Sequence, residues 1–125
     1  MKSVLRVLIG VLGLLAILVA ARFWMDPLKV GATLGLSPVG LLGLATLRAD
    51  MAGFFGTAGV LALAAAIRDD RRLLTAPLIM IGLALSGRLI TAGLGGLAQP
   101  TVMPMAVEAL GVLLLTLGRR SLGQR

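Results

Sequence analysis

Residues 58–78 read AGVLALAAAIRDDRRLLTAPL: an uncharged apolar stretch, then Arg68-Asp69-Asp70-Arg71-Arg72, then an apolar stretch again. A water-exposed helix shows polar residues on one face at a period of 3.6. Neither flank of this charged turn has such a face. The pattern is that of two membrane-spanning helices joined by a tight hydrophilic connection.

Outward from this turn the same pattern repeats. On the N-terminal side an apolar run reaches back to about Val39, giving an expected helix over 39–67. That is long for a perpendicular span, so it either tilts or places its first two turns at the membrane surface. On the C-terminal side a helix is expected over 73–94, with Pro77 in its first turns, where a missing N–H is cheap. Gly95-Gly96-Leu97-Ala98-Gln99-Pro100 forms the next turn, and a last helix is expected over 102–117. At the start of the chain, the run over 4–25 ends in Arg22-Phe23-Trp24-Met25, with the Trp placed as an interfacial anchor. Asp26-Pro27 stops it, and Leu28 to Pro38 reads as a short external loop with one interfacial turn.

Composition agrees. The 125 residues are 58% hydrophobic and only 14% charged, with a mean hydropathy of +1.04. Soluble domains are about 45–50% apolar and about 25% charged. At roughly 20 residues per crossing, the length suits one transmembrane domain over 1–125: an all-α, integral membrane four-helix bundle. Lys2 and Arg6 before an apolar core and Val19-Ala20-Ala21 also resemble a secretory signal. Cleavage there would leave three helices. The run continues through Phe23-Trp24-Met25, however, and is long enough to span.

The net charge of +7 comes from 12 Lys/Arg against 5 Asp/Glu. These cations form small clusters between apolar runs, with no basic face and no interleaved aromatics, so nucleic acid is not the expected partner. Lys2, Arg6, Arg68, Arg71, Arg72, Arg119, Arg120 and Arg125 fall on one side, and Arg22 and Lys29 on the other. The positive-inside rule therefore places both termini in the cytoplasm of a cell whose cytoplasmic membrane holds the protein. Asp70 suits the positive end of the third span's dipole.

His, Cys and Tyr are absent, so no thiolate or imidazole is present to hold a metal or build a catalytic dyad. The glycines follow no strand and form no phosphate loop. Ser86 has no neighbouring base, and Met103 and Met105 read as packing or interfacial residues. The residues identify neither a catalytic group, a metal site nor a cofactor, and an enzyme is not expected.

Four charges inside apolar segments carry the functional signal: Arg48, Asp50, Arg88 and Glu108. A charge at the bilayer centre costs about 2.5–3.5 kcal/mol on insertion scales, so such groups face the bundle and find partners. Asp50 continues a small and polar stripe of Gly43, Thr46, Gly53 and Thr57, the expected packed face of its helix. Gly87 beside Arg88, and Gly111 beside Glu108, extend that packing to the other two helices. Gly10, Gly13, Ile17 and Ala20 form the stripe of the first helix. Arg88 is expected between Asp50 and Glu108, with Arg48 near the outer opening of the cluster. Gly53, Gly56 and Gly59 suit either intramolecular packing or a homo-oligomer face.

Leu47-Arg48-Ala49-Asp50 with Gly53, Gly87-Arg88-Leu89, Glu108 and the loop residues Leu34-Gly35-Leu36 resemble a family of small bacterial four-helix membrane proteins. That family has no assigned function and is similar to the DoxX-like membrane proteins. Its members often carry an acidic residue where this chain has Leu94-Gly95-Gly96. The resemblance implies a four-helix membrane fold and a link to quinone or thiol-redox chemistry. Three roles are therefore weighed: a binding or accessory module for a small polar or lipidic ligand, a small proton-coupled transporter or channel, and a redox partner using an exogenous quinone. Lipid or quinone are the expected partners beyond the bilayer itself.

Overall fold

A computed structural model describes residues 1–123. It is all-α, and four of its helices are long and apolar enough to cross a membrane. The spans are α1 (Lys2–Met25), α3 (Gly40–Arg68), α4 (Arg71–Gly95) and α5 (Gln99–Ser121). Between the first two lies a two-turn helix, α2 (Pro27–Thr33). The sequence reading allowed this segment only a single turn. Pro27 supplies a preset helical φ at the first position, and the Asp26 carboxylate accepts the amide of Lys29 at 3.3 Å, so the segment starts a helix of its own.

The bundle is held unequally along its length. α1 and α3 form the most extensive interface, and the reason is two glycines. A methyl group on Gly13 would stand 2.7 Å from the Gly59 carbonyl oxygen, and one on Gly59 would stand 2.6 Å from the Gly13 carbonyl oxygen. Only glycine permits backbones this close, and in lipid such packing replaces the hydrophobic drive that holds soluble helices together. Around that contact α3 buries Ala52, Ala58, Ala62, Ala65 and Ala66.

This corrects the expected packed stripe. Gly53 and Thr57 point outward, as do Thr46 and Asp50, and a methyl group on Gly53 would meet nothing within 4 Å. Gly43 is packed tightly, but against Pro38 of the preceding loop. Residues Leu47–Met51 form a π turn, and on the α segment Ala52–Arg68 that follows it Thr57 and Gly53 lie about 160° and 120° around the axis from Gly59, so the row that holds them faces away from α1. α3 carries two small-residue rows, and the alanine row is the one that meets α1.

A core at the end bearing the chain termini joins all four spans, with Leu5 and Ile9 of α1, Ala62 and Ala65 of α3, Leu74 of α4 and Leu115 of α5. A second core at the far end includes Ala20, Phe23, Val30, Leu47 and Ala52, drawn from α1, α2 and α3. The far halves of α4 and α5 take no part in it. Among the described residues α4 buries only Leu74 and Pro77, both in its first two turns, and Gly87, expected to pack, faces open space. Gly111 does pack, beside Ile81 and Leu12.

The charged turn serves as a clasp. Asp69, in the left-handed region at φ 55°, ends α3. Its carboxylate meets the Lys2 ammonium at 2.6 Å and accepts the amide of Gly123 at 3.1 Å, tying both chain ends to one turn. The Lys2 hydrogen bond first, and the Gly123 amide second, hold that carboxyl below its ordinary range. Arg6 donates to the carbonyls of Ala66 and Ile67 at 2.8 and 3.0 Å, closing the last turn of α3. Asp70 accepts the amide of Arg72 at the start of α4, and Arg119 donates to the Thr75 hydroxyl. Arg125, counted with this basic end in the sequence, lies outside the described residues.

Candidate functional site

Two polar levels bracket the bundle. At one, Arg6 bonds the end of α3. At the other, the Trp24 indole donates to the Arg48 carbonyl and the Arg48 Nε donates to the Trp24 carbonyl, both at 3.1 Å. Arg6 and Trp24 are 18 positions apart on α1 (24 − 6), about 27 Å at 1.5 Å per residue. That is close to the roughly 30 Å of a bilayer's hydrocarbon. Arg48 therefore lies at the far polar level, and its partner is the end of α1.

Asp50 lies on the same turn and is exposed, with no hydrogen bond or ion pair among the described residues. It does not join the cluster the sequence suggested. Its helix begins at Gly40, beyond the far polar level, so Asp50 sits near an interface, where a carboxylate stays solvated without a counter-ion.

Arg88 and Glu108 do meet. The Arg88 Nε donates to both carboxylate oxygens of Glu108, at 2.8 and 3.0 Å. Helix direction explains the contact. Cα–Cβ bonds tilt toward a helix's N-terminus. α4 runs away from the terminal end and α5 runs back, so Arg88 leans toward the membrane middle and Glu108 leans up to meet it. Counting from Gly111 beside Leu12, Glu108 stands about 13 Å above the Arg6 level, near mid-membrane. The side chains retain 30% and 17% exposure, so the pair is sheltered but not sealed.

Beside Glu108 lies a cavity of about 190 Å³ among all four spans. Its wall includes Ala16 of α1, Phe54 and Phe55 of α3, Ile81 of α4 and Gly111 of α5, and among the described residues the single polar side chain on it is Glu108. Phe54 and Phe55 stand edge to face at 5.3 Å, and Phe55 stacks on Phe23 at 5.9 Å. Two further wall residues, Leu15 of α1 and Val107 of α5, are 55% and 51% exposed. The cavity thus opens sideways between α1 and α5, toward lipid. On the other side of the ion pair, Arg88 with Ala84, Gly87, Thr91 and Thr101 lines a shallow outward groove. The pair is a partition between the bundle interior and the α4/α5 surface.

Sequence reasoning reached Arg88 and Glu108 through the cost of charge in hydrocarbon. It missed Phe54, Phe55 and Ala16. Two adjacent aromatics in a chain with 3% aromatic residues are a signal for the first two. Ala16 carries none, because a void is a property of arrangement. No group of three or more His, Cys, Asp or Glu side chains is placed to hold a metal among the described residues. Comparison with known protein families, curated proteins and solved structures finds no match.

Proposed function

We propose that this protein is a membrane-embedded binding or accessory module for a small lipidic ligand, held in the cavity between the four spans. The observation that carries the reading is an apolar cavity, open toward lipid, whose wall has one polar side chain fixed by an arginine. Ligand sites are mostly apolar concavities with a few placed polar groups. A cavity of about 150 Å³ lined by Leu, Ile and Phe stays dry and takes up benzene, so about 190 Å³ has room for one ring or a short acyl segment. The lateral opening supplies a route from the bilayer that does not require leaving hydrocarbon.

The membrane we assign is the cytoplasmic one, with both termini inside. Support comes from the seven cations Lys2, Arg6, Arg68, Arg71, Arg72, Arg119 and Arg120 at the terminal end, against Arg22, Lys29 and Arg48 at the other.

Native mass spectrometry of the protein released from its own membrane tests the binding role. A retained small molecule is expected on the natural protein and not on Ala16→Leu, which fills the cavity from α1. The same occupancy in both proteins, or none in either, would remove the binding role.

A further inference from the structure

The cavity's chemistry narrows its ligand. We infer that it takes a neutral single-ring molecule bearing a hydroxyl donor, a phenol, with the hydroxyl on Glu108 and the ring against Phe54 and Phe55. This rests on the cavity being a ligand site, and it names the class of ligand.

Three observations lead there. First, the polar side chain on the wall is an acceptor. A carboxylate offers about four lone-pair positions and no proton, and the Arg88 Nε occupies one on each oxygen. The remaining positions call for a donor. Second, charge excludes the alternatives. A cation at Glu108 would stand beside the Arg88 guanidinium, and an anion would face the carboxylate itself. Arg88 and Glu108 sum to zero, so a neutral donor enters without leaving a net charge in hydrocarbon. Third, size and walls suit a ring. The volume of about 190 Å³ exceeds the roughly 150 Å³ that accepts benzene. Phe54 and Phe55 both line the cavity and supply an aromatic wall for an aromatic guest.

The test uses fluorine NMR on the full chain in lipid nanodiscs, with p-fluorophenol and fluorobenzene compared at equal concentration in the bilayer. The natural protein should hold the phenol at least about tenfold more tightly, the ratio that one hydrogen bond to a charged group supplies. The Arg88→Leu/Glu108→Leu double variant, which leaves no unpaired charge, should equalise the two rings. Ala16→Leu should hold neither. Fluorobenzene held as tightly as the phenol by the natural protein would overturn the donor inference while leaving a ring-binding cavity. No bound signal for either ring, or one unchanged by Ala16→Leu, would overturn the cavity as a site altogether. The two-ring comparison needs only the natural protein, so it stands even where a variant fails to fold.

Discussion

Arg88 and Glu108 show how one pair of side chains organises a region that has no core of its own. Replacing Arg88 by Leu leaves a carboxylate at mid-membrane depth without its counter-ion. Stripping one partner from a fully buried pair costs about 3–5 kcal/mol; here, with both side chains partly exposed, a loss toward the lower end is expected. Replacing both by Leu should recover most of it, as a double-mutant cycle in thermal unfolding would read. Asp50→Asn should change stability by less than about 0.5 kcal/mol, because Asp50 has no side-chain partner among the described residues to lose. A large effect there would place it back in the charged cluster. The glycines divide in the same way. Gly13→Ala forces the α1 and α3 backbones apart and should cost about 1–3 kcal/mol, as overpacking does. Gly53→Ala meets open space and should be neutral or stabilising, by up to about 1 kcal/mol of helix propensity.

The π turn decides what α3 presents. Its inserted residue lets Gly40–Thr46 and Ala52–Arg68 face different ways, and it places the Arg48 carbonyl where the Trp24 indole reaches it. Deleting Ala49 should restore an unbroken α ladder and turn the first segment by about 100°. The Gly13–Gly59 contact lies beyond the deletion and should survive. Helical content is then expected to hold while Trp24 fluorescence changes, its indole having lost its acceptor. Unchanged fluorescence would mean that the turn does not set the Trp24–Arg48 level. α4 makes the complementary point. It has the length of a span, yet its far half buries no residue and lines the outward groove beside Arg88, while Ile81 of its near half closes the cavity.

For the whole molecule, the two ends differ in chemistry. The terminal end is basic and clasped through Asp69, while the far end carries Trp24, Arg48 and the short α2. The clasp has a pH dependence of definite sign. The folded carboxyl of Asp69 is depressed, so its contribution is present above the unfolded value and fades as pH falls through the folded one. With ordinary aspartate near 3.9, the natural protein and Asp69→Asn should differ in thermal stability at neutral pH and converge below about pH 4. A difference that persists or grows in acid would contradict the clasp. Orientation can be read with single cysteines, since the chain has none of its own. Ser37→Cys should label in intact cells, and Ser3→Cys only after permeabilisation. The reverse pattern would invert the topology.

Some of this was legible in the residues alone, for a simple reason. Hydrocarbon penalises charge and unpaired backbone so steeply that four apolar runs and the turns between them had one outcome. The span limits expected at 4–25, 39–67, 73–94 and 102–117 differ from those formed by at most four residues. The same penalty singled out Arg88 and Glu108. It could not choose between two rows of small residues on α3, because alanine and glycine are equally at ease in lipid. Nor could it find the cavity. An empty volume belongs to no residue; it is set by how far α4 and α5 stand from the glycine-welded pair of α1 and α3, and only the packed molecule fixes that distance.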